Sequence, residues 1–214
     1  MGDLTIGTKA VLSQSGSDEA VLSGDLTFPS GHIIQVVSNH DNAEFTFTML
    51  DIGATAWDYG YGHAGTDYTG IDVTITPAST SNKLWVTGKI FISCGATNSY
   101  GSLRMKRAIG GSYETMSEAN CPWHALKNTV HGASGQVGVA VIGNAFGDTG
   151  TPNEVTWGYL DSPNTTSAVT YRMNCLIEED SANSTAYVNA SAVQANNYGS
   201  RAGSSFMTVM EVAG

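Results

Sequence analysis

The chain has 214 residues, a formal net charge of −10 and only nine lysines and arginines. Its charged fraction of 13% is about half the globular norm, and Ser, Thr and Asn fill the gap at roughly a quarter of the chain, which suits turn-rich β structure. That balance excludes a nucleic-acid partner and an anionic membrane surface, since both take their affinity from cationic groups that are scarce here.

Residues 1–30 differ from the rest. They are studded with Ser, Gly and Asp, and their apolar residues stand apart from one another: Leu4, Ile6, Val11, Leu12, Val21, Leu22, Leu26 and Phe28. Ordering a residue costs roughly 1–2 kcal/mol, more than these scattered side chains recover by themselves. The segment is therefore expected to be an extended N-terminal docking arm, its order supplied by neighbouring chains, ahead of a β-domain over 31–214. The opening Met1-Gly2-Asp3-Leu4-Thr5-Ile6 lacks the basic-then-apolar layout of a signal peptide, and Ile6 stands where myristoylation needs Ser or Thr. Assembly in the cytoplasm is the expectation. No apolar run approaches the roughly 20 residues that span a bilayer.

From residue 31 onward the hydrophobic pattern has period 2, the signature of strands with one buried face. Strands are expected over 33–37, 45–50, 71–76, 84–92, 103–109, 137–141, 155–159, 169–177, 186–190 and 205–212. In the run 84–92, Leu84, Val86, Ile90 and Ile92 share one face with Gly88 between them, opposite Trp85, Thr87, Lys89 and Phe91. Apolar residues on both faces of a strand imply a second cover beyond the domain's own core, so a subunit contact is expected there. The only helix candidate is a turn or two over 113–119. About ten strands joined by Gly, Pro, Asn and Ser predict an all-β fold, an antiparallel β-sandwich.

The search for chemistry is mostly negative. The chain holds no phosphate-cradling loop, no dinucleotide fingerprint, no HExxH and no calcium loop. His131-Gly132-Ala133-Ser134-Gly135 lacks the spacing and the helix of a nucleophile elbow and reads as a turn. The five histidines are scattered, and Cys94, Cys121 and Cys175 are expected to be free thiols. No enzymatic activity, cofactor or metal site is expected. One loop stands out, Gly- and Tyr-rich between carboxylates: Trp57, Asp58, Tyr59, Tyr61, Asp67 and Tyr68 could stack against a host-surface glycan or form a subunit contact. Arg104 and Lys106 fall on one face of a short basic strand, read as plainly exposed. Asn164, Asn183 and Asn189 match the glycosylation acceptor by composition alone.

Four segments carry a resemblance. Phe28-Pro29-Ser30-Gly31-His32-Ile33-Ile34-Gln35-Val36-Val37, then residues 73–86 around Pro77-Ala78-Ser79-Thr80-Ser81, then residues 161–171 around Pro163-Asn164-Thr165-Thr166-Ser167, and finally Phe206-Met207-Thr208-Val209-Met210-Glu211-Val212 occur in this order. Together they are similar to tail-fibre-like and decoration-type surface proteins of tailed bacteriophages, marine ones especially. The resemblance implies a jelly-roll-like sandwich, a homotrimer, other virion proteins of the capsid or tail as partners, a place on the virion surface and no catalytic residue.

Overall fold

A computed structural model of the chain describes residues 4–6, 9–13, 21–22, 28–48, 50–51, 65–95, 100–113, 140–142, 152–179, 185–191 and 203–214. Every regular element among them is a strand. In chain order these are β1 Leu4–Ile6, β2 Lys9–Ser13, β3 Val21–Leu22, β4 Ile33–Asp41, β5 Phe45–Thr48, β6 Leu50–Asp51, β7 Thr66–Ile75 and β8 Lys83–Cys94. They continue as β9 Tyr100–Ile109, β10 Ser112–Tyr113, β11 Ala140–Ile142, β12 Asn153–Asp161, β13 Val169–Glu179, β14 Thr185–Val188 and β15 Ser205–Val212.

The strands form two layers and a small separate sheet. In the first layer β8 is central, with β12 along one edge and β15 and β14 end to end along the other. Outside those lie β4, on β15, and β5, on β14. In the second layer β13 pairs with β9 on one side and β7 on the other, and β10 and β11 extend β9. All these pairings are antiparallel except a two-residue parallel match of β6 to β13. The chain crosses between layers from β7 to β8 to β9 and again from β11 to β12 to β13 to β14. This is the antiparallel, jelly-roll-like sandwich expected from the sequence.

Period-2 alternation puts one side of each layer inward. Leu84, Val86, Ile90 and Ile92 of β8 meet Met207 and Val209 of β15 and Val188 of β14. Facing them are Ile71, Val73 and Ile75 of β7, Leu103 and Met105 of β9, and Val169, Tyr171, Met173, Cys175 and Ile177 of β13. Each such side chain contributes about 1.5–3 kcal/mol by leaving water. Cys94 and Cys175 are buried and form no disulfide, and burial pushes the Cys175 thiol up to about 12. They pack as small hydrophobes. Cys121 lies outside the described residues.

Among the described N-terminal residues, β1, β2 and β3 pair with one another as an antiparallel meander. Two expectations change. Tyr113, assigned to a helical turn, ends the β9–β10 hairpin, while 114–119 lie outside the described residues. The strand 71–76 begins earlier, at Thr66, so Asp67 and Tyr68 belong to the sandwich and not to a loop.

Gly88 marks where the first layer is tightest. A Cβ there would collide with the Phe206 carbonyl oxygen and with the Trp157 indole, which lies across the glycine. Gly88→Ala should therefore destabilise the domain by roughly 1–3 kcal/mol through overpacking, read as a lower midpoint in urea denaturation with an unchanged slope.

Candidate functional site

Three nodes of buried polar side chains stand out among the described residues. The first is Asp161, buried at the end of β12. Arg107 Nη1 donates to both of its carboxylate oxygens at 2.8 and 2.9 Å, the Tyr171 hydroxyl donates at 2.6 Å, and the Ser162 amide at 2.8 Å. Asp161 belongs to the first layer, Arg107 and Tyr171 to the second, so the node pins the layers together. Burial, then the Asp161 charge, pushes the Tyr171 hydroxyl far above its ordinary range. A carboxylate that accepts four hydrogen bonds from three groups, beside a phenol that holds its proton, is a strut and not an acid–base pair.

Glu211 of β15 is the second node. It is fully buried and takes hydrogen bonds from the Ala78 amide at 2.7 Å and from the Gln35 and Asn82 carboxamides at 2.5 Å each. It thereby ties the Pro77–Asn82 turn to β15 and β4. Gln35 also donates to the Thr76 carbonyl, and Asn39 to the Gly70 and Asp72 carbonyls. Two side chains of β4 thus satisfy carbonyls of β7 and of Thr76 just beyond it, where no ladder joins the layers.

At the third node, Asn189 adopts a positive φ of 61° and is buried. Its carboxamide nitrogen donates to the Asp41 carbonyl, the Ala43 carbonyl and the Tyr68 hydroxyl, at 3.1, 3.0 and 2.9 Å, and its oxygen accepts from Ser205 at 2.6 Å. Tyr68 in turn donates to Asp41 at 2.8 Å. Burial, followed by Asp41, raises the Tyr68 hydroxyl well above its ordinary range.

These nodes decide several expected roles. Tyr68 is a core side chain and offers no ring face to a sugar. Asp67 is half-buried on the outer side of the second layer, held by Lys106 at 2.7 Å and by the Asn174 carboxamide at 2.7 Å, with Arg172 at 3.7 Å. Burial alone would raise its carboxyl, but those hydrogen bonds and the Lys106 and Arg172 charges outweigh it and hold the group below the ordinary carboxylate range. Arg172 also grips Asp72 and lies over the Tyr113 ring at 4.4 Å. Trp57, Asp58, Tyr59 and Tyr61 lie outside the described residues.

The basic strand is not plainly exposed. Lys106 pairs with Asp67, Arg107 with Asp161, and Arg104 is buried. Asn189, a sequence match to the glycosylation acceptor, has its side chain fully engaged inside the fold. Of the arm residues, Phe28 is half-buried and stacks on His32 at 5.7 Å. The side chains of Leu4, Ile6, Val11, Leu12, Val21 and Leu22, and the whole of Leu26, lie outside what is described. Among the described residues, no group of three His, Cys, Asp or Glu is placed to hold a metal ion.

What sequence reasoning missed is the outward side of the first layer as a whole. Pairing aligns Val36, Met210, Trp85 and Leu160 in one row across β4, β15, β8 and β12. Trp85 alone drew notice, because the row exists only once four distant segments are in register.

No family model matches the sequence, and no curated protein matches it. Among solved structures, the chain is similar to the VP2 subviral particle of infectious bursal disease virus at 10% identity and a TM-score of 0.41, covering 94% of this chain and 37% of that one. The Gt strain of the same virus gives 13% identity and a TM-score of 0.38, with 98% and 44% covered. The Gx strain gives 11% and 0.36, with 100% and 50% covered. The chain thus spans half or less of each of these proteins. At such TM-scores no residue role passes across.

Asp161→Ala would leave Arg107 and the Tyr171 hydroxyl without their acceptor and should cost about 3–5 kcal/mol, measured by chemical denaturation. For Asp67 the folded pKa is depressed, so its stabilisation is present above the unfolded value near 4 and is lost as pH falls through the lower folded value. The stability gap between the native chain and Asp67→Asn should accordingly be constant at neutral pH and narrow below about pH 4.

Proposed function

We propose that the chain is a non-enzymatic structural protein of a virion surface. In this reading the sandwich is displayed as the head of a short trimeric fibre or a capsid decoration protein, and residues 1–30 dock it to other virion proteins of the capsid or tail. The observation that carries the reading is the separateness of the N-terminal sheet: among the described residues, β1, β2 and β3 pair with one another and with no strand of the sandwich. A small sheet with unpaired edges, joined to the head ahead of β4, suits attachment by strand addition to a partner.

Two further features support the same reading. The buried carboxylates Asp161 and Glu211 are consumed as internal struts, which is what a scaffold requires and a reacting site does not. The resemblance to tailed-phage surface proteins falls on strands and turns that build the sandwich, namely β4, the Pro77 turn with the start of β8, the start of β13, and β15. The net charge of −10 points to protein partners and away from packaged nucleic acid.

Deletion of residues 1–28 tests the division of roles. The truncated chain should stay folded and soluble, with an unchanged far-ultraviolet circular dichroism spectrum, and should no longer bind particles that lack the native protein. Equal binding by the full and truncated chains would place the anchor in the sandwich and overturn the assignment.

A further inference from the structure

The outward side of the first layer carries more apolar surface than a solvated sheet needs. Val36 is 56% exposed, Leu160 43% and Trp85 39%, and half-buried Met210 joins them into one row four strands wide. The flanking row at the start of β8 adds Ile33, 53% exposed, with Val212 beside it. Beyond a row of Ser38, Thr208 and Thr87, Phe206 lies 37% exposed next to Lys89.

We infer that this face is the contact between copies of the chain, the same face of neighbouring subunits meeting through the row Val36, Met210, Trp85 and Leu160. The inference deepens the trimeric reading above and rests on it for the number of copies, not for the surface.

Charge argues for a second copy as the occupant. The chain carries −10 overall, so two copies repel one another over most approaches. On the outward positions of β4, β15, β8 and β12 the ionisable side chains, histidine aside, are Lys83 and Lys89 against the single carboxylate of Glu154, which Lys89 binds at 2.8 Å. On this side acidic molecules can meet without facing an unpaired carboxylate. Apolar contact is also non-directional, so the same face of each copy can meet around one axis.

Four strands at about 4.8 Å spacing and six residues along them make a footprint on the order of 400 Å², which includes the hydroxyl row Ser38, Thr208 and Thr87 and is about half the roughly 800 Å² per partner of a standard interface.

Trp85 is held ready for the contact. Its ring lies across Gly158, where an added Cβ would stand 2.9 Å from Cζ2. A flattened indole loses little rotamer freedom on docking, which favours it as an anchor.

Sedimentation equilibrium of the full chain at micromolar concentration tests the inference. The native chain should give an integral multiple of its 22.4 kDa. Trp85→Ser with Leu160→Ser should give the monomer mass while the circular dichroism spectrum is retained. Thr74→Lys, on the exposed outward side of the other layer, should leave the assembly intact. Should the double variant fail to fold, Val36→Lys, at the most exposed position of the row, is expected to shift the mass to monomer instead. A monomeric native chain at tens of micromolar would overturn the inference, and so would an unchanged oligomer in folded row variants, including one where a different protein occupies the face. An intact oligomer that fails to bind particles would count against the virion reading alone.

Discussion

Much of the first layer depends on one buried carboxamide. By register, Val188, Asn189, Ser205 and Phe206 follow one another opposite Ile92, Phe91, Ile90 and Lys89, although the chain leaves the ladder after Asn189 and re-enters at Ser205. The Asn189 amide still donates to the Phe91 carbonyl at 2.8 Å, and the Ser205 hydroxyl accepts from the Phe91 amide at 3.1 Å. Next to this gap the β4–β5 strand is itself interrupted between Asp41 and Phe45. Asn189 spans both gaps through the Asp41 and Ala43 carbonyls and meets Tyr68 from the opposite layer. Buried backbone groups must find partners, and here one side chain replaces the missing rungs. Its positive φ is a conformation that Asn tolerates better than most residues.

The same economy governs the charges. A chain with so few cations spends them internally: Arg107 on Asp161, Lys106 and Arg172 on Asp67 and Asp72, Lys89 on Glu154. Glu211 is satisfied by neutral donors. These arrangements close the seams between layers and fasten the turns, and they leave the described polar clusters structural in character.

The outward sides of the two layers consequently differ. On the second layer, Asp67, Asp72, Lys106 and Arg172 form a half-buried ion network beside the buried side chains of Arg104, Asn174 and Leu176. On the first, a row of exposed apolar side chains crosses four strands.

How much of this was legible in the sequence follows from the range of each interaction. Alternation in runs such as Leu84, Val86, Ile90 and Ile92 is local, and it determined the strands, the antiparallel all-β class and which side chains face the core. Pairing across the chain decided the rest. Tyr68 and Asp67 look like members of an aromatic loop until β7 is seen to begin at Thr66 and β13 to lie beside it. Asn189 reads as a glycosylation acceptor until Asp41, Ala43, Tyr68 and Ser205, up to 148 residues away, converge on it. Arg107 differs from Lys106 only by the side of a strand it occupies, and only the layers show that one reaches Asp161 in the core and the other Asp67 outside. A strand's pattern is set by its own residues, whereas a hydrogen-bond partner or a row of side chains across a sheet exists only when distant segments are brought into register.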